Sequence, residues 1–271
     1  MELYNTCGFK YKLKYIERWE ADQTPAALLF GTAIDKALNY VLIRKKHNHT
    51  PKYQVAEAFF LKQMNVWQGQ NELIYFKGEA PTDLDPEMAA PLKQKAVWDH
   101  LVSIGLKMIQ TYIDEILPNF KRIIQVQTKK KIDNGAGDVL VLVTDFLAEL
   151  QDGRIVIFDN KTSSDIKKNY GKSSVANSTQ LAIYTEYETT NLAGYVALQK
   201  KLVDGKISWT MVVDSIQESK TAEALEKVDS ALENIKAEIF EKNQKSCYLY
   251  NKPCEFYKLC KFGNSRGLLK K

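Results

Sequence analysis

Helical periodicity at both ends and a run of strand-like segments between them predict an α/β fold, a central mixed sheet flanked by helices. Three observations carry this. Apolar residues recur at spacings of three and four from residue 25 to about 46, β-branched segments crowd the region 121–220, and an amphipathic stretch follows at about 221–242. With 271 residues the chain can bury one substantial core, or one core with a small appended subdomain.

The first long helix is expected from Pro25 to about Lys46, with Phe30, Ile34, Leu38 and Val41 on one face. A mostly helical region with a polar interruption follows. Residues 71–92 hold three prolines and several acids, which predicts a surface excursion, and 93–117 again read as helix. The texture changes at about Lys121. RIIQVQTKKKI and VLVLVTDFLAEL read as strands around a turn at Asn134-Gly135. Gln151-Asp152-Gly153 forms the next turn, and RIVIFDNKT the next strand. A helix from about Ser178 to Tyr187 precedes two more strands, GYVALQK and ISWTMVVDSI. The last helix should span about Thr221–Lys242, with Leu225, Val228, Leu232, Ile235 and Ile239 on its apolar side. This reading gives one domain over residues 1–271: a helical part (1–120), a sheet core (121–220), and a helix with a cysteine-rich tail (221–271).

The formal net charge of +5 permits a polyanionic partner without requiring one. No run approaches the roughly 18–20 consecutive apolar residues of a membrane span. The start, MELYNTCGFKYKLKY, has no apolar signal core, so the expectation is a cytoplasmic protein without a membrane partner. Under reducing conditions clustered cysteines point to metal binding or catalysis rather than disulfides.

The central constellation is VTDFLAEL–QDG–RIVIFDNKTSS. Asp159 and Lys161 share a strand face by period-two alternation, and the turn brings Asp145 alongside. The loop length decides the register. A two-residue loop pairs Asp145 with Asn160, which points away; a three-residue loop with Gly153 left-handed sets Asp145 opposite Asp159. The second arrangement is expected, because glycine suits that position. Two such carboxylates suit Mg²⁺ or Mn²⁺, and a neighbouring lysine can position a water or stabilise charge at phosphorus. A lone D-x-K tripeptide is common and is more often plain strand surface.

These segments resemble the second and third motifs of the RecB-like PD-(D/E)XK nucleases. STQLAIYTEY resembles their Q-x-x-x-Y helix, carried by Gln180 and Tyr184, an i, i+4 pair on one helix face. CGFKYKLKYIERW and FGTAIDKAL resemble the N-terminal cysteine helix and the first motif. The resemblance implies a restriction-endonuclease-like core, with Asp145, Asp159, Lys161, Gln180 and Tyr184 catalytic. It also implies Asp35, Asp145 and Asp159 as metal ligands. Asp35 stands where the family usually has histidine, and an aspartate can hold Mg²⁺.

Cys7, then Cys247, Cys254 and Cys260 as C-x6-C-x5-C, form one distant and three clustered thiols. The pattern resembles the [4Fe–4S] signature of the CRISPR-associated RecB-like exonucleases and their phage relatives, although the first gap is wider here. Zinc is the alternative for four thiolates. Tyr11 and Tyr15 are expected beside that site. Basic residues interleave with aromatics from Lys10 to Trp19, and others gather at Arg44–Lys46, Lys129–Lys131 and Lys167-Lys168. The resemblance implies an exonuclease on single-stranded DNA or DNA ends, with recombination, replication or CRISPR-adaptation proteins as partners. The alternative is a DNA-binding or assembly module that keeps the fold without hydrolysis.

Overall fold

The computed structural model describes residues 2–21, 24–68, 73–74, 90–133, 139–248 and 253–271. In chain order these form α1 (Glu2–Thr6), α2 (Gly8–Tyr11), β1 (Trp19–Ala21), β2 (Thr24–Pro25), α3 (Ala26–Lys46), α4 (Tyr53–Gln68), β3 (Leu73–Ile74) and α5 (Ala90–Thr111). Then come β4 (Phe120–Asp133), β5 (Val139–Leu150), β6 (Ile155–Ser163), α6 (Ile166–Asn169), α7 (Lys172–Ala176) and α8 (Thr179–Glu186). The chain closes with β7 (Leu192–Val203), β8 (Lys206–Ser215), α9 (Glu218–Lys236), α10 (Tyr257–Phe262) and β9 (Leu268–Lys270). The expected turn at Asn134-Gly135 and most of the expected excursion at 71–92 lie outside the described residues.

The chain makes two compact units, one of residues 25–70 and 75–221, the other of residues 1–24, 71–74 and 222–271. The larger unit holds a five-stranded mixed sheet in the order β4-β5-β6-β7-β8, flanked by helices. Only the β6–β7 pair is parallel, joined through α6, α7 and α8. That crossover is the βαβ connection a parallel pair needs.

Helix α3 is apolar because it is a core element. Phe30, Ile34, Leu38 and Val41 are all fully or nearly fully buried. Among the described residues it is the one helix long and apolar enough to pass as a membrane span by length and composition, and half of it is buried in the protein. It packs on α4, and Phe30 meets Phe60 edge-on at 6.1 Å. Phe60 in turn occupies the space over Gly105 of α5, where a Cβ would lie 2.1 Å from the ring. Glycine at that position lets three helices interlock.

The β5–β6 hairpin has the odd register the sequence predicted. Phe146 pairs with Phe158 and Glu149 with Ile155, a register that continues to Asp145 opposite Asp159. The Leu150 amide donates to the Arg154 carbonyl (2.8 Å) and the Gly153 amide to the Leu150 carbonyl (3.0 Å), so the loop has three residues, with Gly153 at φ +89°. Phe146 and Phe158 stack at 5.2 Å, and Phe120 caps both at 5.4 Å. A one-residue slip would turn this buried trio outward, so the aromatic cluster fixes the register of the acids beside it.

The smaller unit ties the two chain ends together. Strand β1 pairs antiparallel with β9, Trp19 opposite Lys270. The last long helix is shorter than its periodicity suggests. It stops at Lys236, Glu238 turns left-handed at φ +57°, and Ile239 is exposed rather than on an apolar helix face. The reason is that the backbone after it has other partners: the Tyr4 hydroxyl donates to the Ile239 carbonyl (2.6 Å) and the Phe9 amide to the Glu241 carbonyl (3.0 Å). Gly8 allows this approach, since a Cβ there would sit 3.1 Å from the Glu241 nitrogen.

Candidate active site and cysteine site

The hydrogen-bonded ladder between β5 and β6 ends at Phe146–Phe158. Beyond it β6 continues along β7 to Ser163–Gln199. The β6 amide left beside the parting strand is that of Asn160, and Asp145 Oδ2 accepts it at 2.9 Å. A side-chain oxygen thus satisfies a backbone donor that the ladder no longer covers. Asp159 lies nearly buried, with Lys161 Nζ 2.5 Å from its Oδ2.

Asp35 reaches the same place from α3. The Asn39 amide, one helical turn on, donates to Asp35 Oδ2 at 3.0 Å. Gln127 of β4 donates to both Asp35 Oδ1 and Asp145 Oδ1, each at 3.4 Å. A cavity of about 430 Å³, lined in part by Asp35, Asn160, Lys161 and Thr162, opens beside this cluster. Burial, then the charge of Asp145, push the Asp35 carboxyl up to about 6. Asp159 is pushed up to about 7, mainly by burial, with Asp145 adding and Lys161 opposing. Lys161 is raised, its carboxylate neighbours outweighing its own burial. Crowded acids of this kind are what a divalent cation neutralises. Among the described residues no three acids, histidines or cysteines stand at the mutual distances of a closed metal cage.

The helix pair Gln180 and Tyr184 lies on α8, whose start Ser178 caps by accepting the Leu181 amide. The Gln180 amide donates to the Tyr184 hydroxyl (2.8 Å), which donates to the Val143 carbonyl (2.8 Å), two residues before Asp145. Tyr184 is only 8% exposed, so the pair bears on β5 rather than on solvent. Sequence reasoning missed Gln127, Asn39, Asn160 and Tyr112, whose hydroxyl donates to Asn160 Oδ1 at 3.2 Å. Asn160 stood inside the motif but on the opposite strand face, and Gln127 reads as an ordinary polar strand residue.

In the smaller unit all four cysteines are free and line one cavity of about 480 Å³. Cys7 sits in extended backbone before α2, and its sulfur accepts the Asn243 amide at 3.5 Å. The Cys254 amide donates to the Cys247 carbonyl (2.7 Å), closing the wide gap between them. Lys10, Lys242 and Lys261 also line the cavity, and Lys242 Nζ lies 4.6 Å over the Phe9 ring. Phe9, Tyr248, Phe256 and Tyr257 supply its aromatic wall. Tyr11 and Tyr15, expected there, instead pack on each other at 5.0 Å, with Tyr11 also stacked on Phe240, because helical spacing turns them away from the cysteine side.

An acid pair on a splayed hairpin, a lysine two residues on and a third acid from the first core helix thus gather at one place on this fold. Residues 1–261 match the family model of the PD-(D/E)XK nuclease superfamily, and the chain belongs to that superfamily. Among solved structures, a candidate exonuclease from Eubacterium rectale is similar at TM-score 0.46 and 14% identity, over 94% of this chain and 86% of that one. SSO0001 gives TM-score 0.32 and 13% identity, over 96% and 94%. No curated protein matches the chain.

Proposed function

We propose that the protein is a metal-dependent deoxyribonuclease, acting as an exonuclease on single-stranded DNA or DNA ends. The observation that carries this reading is Asp145 one step beyond the Phe146–Phe158 pair that ends the β5–β6 ladder, with Lys161 on Asp159 and Asp35 sharing Gln127 with Asp145. Asp35, Asp145 and Asp159 would hold Mg²⁺ or Mn²⁺, hard ions that prefer such oxygens. A bound ion of this kind lowers the pKa of a water and polarises a phosphodiester. Lys161, partly exposed and lining the cavity, orients the water or meets the charge that grows on the phosphate. Gln180 and Tyr184 hold β5 in place through the Val143 carbonyl, which keeps Asp145 at the ladder's end.

For the thiols, the proposal is a [4Fe–4S] cluster held by Cys7, Cys247, Cys254 and Cys260. All four line one cavity of about 480 Å³, which supports a group shared by the four thiolates, with zinc as the alternative. Burial pushes the Cys254 and Cys260 thiols up, with Lys10 opposing it at Cys254 and Lys242 at Cys260. The role is structural: a cluster joining residue 7 to residues 247–260 would close a very long loop.

A second reading, a DNA-binding module without hydrolysis, is favoured by one feature, the aspartate in the place of the family's usual histidine. The test is anaerobic purification followed by incubation with end-labelled single-stranded DNA and Mn²⁺ or Mg²⁺, beside Asp145→Ala and Asp159→Ala. Metal-dependent degradation lost in both variants supports the nuclease, and the product ladder gives polarity. Inert wild-type protein with its iron intact would hand the case to the binding module.

A further inference from the structure

Gln127 has no place in the motifs that the sequence displays, yet the active-site geometry converges on it. It lies inside β4, between the pairs Val126–Phe146 and Thr128–Thr144. Its backbone is left-handed at φ +47°. The other described non-glycine residues with positive φ (Arg18, Asn48, Asp204 and Glu238) all lie outside strands and helices, beside element ends. A non-glycine residue in this conformation costs on the order of 1–2 kcal/mol, and a strand supplies no reason to adopt it. The register of β4 against β5 shifts just upstream, between Ile123 and Gln125. Irregularities of this kind re-aim a side chain.

What the strain achieves is visible in the oxygens. Each of the two acids has one oxygen tied to the scaffold, Asp35 Oδ2 by Asn39 and Asp145 Oδ2 by the Asn160 amide. The two remaining oxygens both face the Gln127 nitrogen, 3.4 Å from each. An amide NH₂ carries two donors and no charge, so it can bridge two carboxylates that otherwise repel.

We propose that Gln127 is a positioning residue for the divalent ion: its strained backbone aims the amide between Asp35 Oδ1 and Asp145 Oδ1 and keeps those oxygens convergent for the metal. The inference rests on the nuclease reading of this site. Partners that orient metal ligands typically contribute about 10–100-fold to metal affinity. Gln127→Ala removes the bridge, and Gln127→Gly removes it while accommodating the positive φ. Gln127→Glu keeps the reach and offers the ion an oxygen in place of the bridging donor.

The experiment is a Mn²⁺ titration of the full-length protein, read by the electron paramagnetic resonance signal of free Mn²⁺, with Asp145→Ala as the reference for loss of the site. The expected result is about a 10–100-fold weaker affinity in both Gln127→Ala and Gln127→Gly, with affinity recovered to within a few-fold in Gln127→Glu. Circular dichroism checks that each variant is folded, and the glycine variant guards against strain as the explanation. Wild-type affinity in the alanine and glycine variants, with Asp145→Ala weakened, would overturn the role of Gln127 and leave the metal site standing. Equal Mn²⁺ binding by wild type and Asp145→Ala would remove the acid site as a metal centre, and the role of Gln127 with it.

Discussion

Asp159 and Lys161 are two residues apart, yet their environments differ because the strand buries one and leaves the other at the cavity mouth. Replacing Asp145 or Asp159 by alanine should cut DNA hydrolysis by at least 10²–10³-fold, on the order of losing a principal charge-stabilising group. Single-turnover assays at saturating Mn²⁺ would measure it. The raised carboxyls also carry a stability prediction. A carboxyl with a folded pKa above its unfolded value of about 4 stabilises the fold at low pH, and that contribution is lost as pH rises through the folded value. With Asp35 at about 6 and Asp159 at about 7, the ion-free protein should lose stability between about pH 4 and 7. The loss should be on the order of a few kcal/mol, and Asp159→Asn should flatten the slope in denaturant titrations at each pH. An unchanged slope in that variant would mean Asp159 is not the group responsible.

The hairpin loop shows how much of the site an element alone can fix. Gly153 and the three-residue spacing were legible in the sequence, because left-handed backbone in a bulged turn favours glycine. Gly153→Ala would put a side chain on left-handed backbone at φ +89° in this loop. The expected outcome is a loss of about 1–2 kcal/mol in denaturant titrations, and a stability equal to wild type would mean the loop does not depend on its glycine. The outer end of the β4–β5 ribbon offers a second test. Lys129 pairs with Val143 and Lys131 with Val141, and all four are exposed. Changing both lysines to alanine should weaken DNA binding several-fold and reduce the salt slope by about two. A slope equal to wild type would place the DNA elsewhere. In the helical layer, Gly105→Ala should cost about 1–3 kcal/mol, since its Cβ would drive into the buried Phe60 ring.

Across the whole molecule, two sites divide between two units. The larger unit carries the acids and its own sheet, while the smaller holds the β1–β9 pair and the cavity lined by the four cysteines. On the proposed cluster, Cys254→Ser should abolish iron binding and visible absorbance and lower the melting temperature by several degrees, because ligand binding contributes to folding. Iron content and absorbance retained in that variant would remove Cys254 from the ligand set.

The order of the core elements and the odd hairpin register were local or periodic properties, so the sequence alone determined them. Alternation of two and spacing of three to four are imposed by the backbone, and they leave their mark residue by residue. The end of α9 at Lys236, the burial of Tyr184 against Val143 and the left-handed Gln127 between two acids were decided only by tertiary structure. Each depends on a partner far away in the chain, and the free energy that imposes it comes from that partner rather than from its own neighbours.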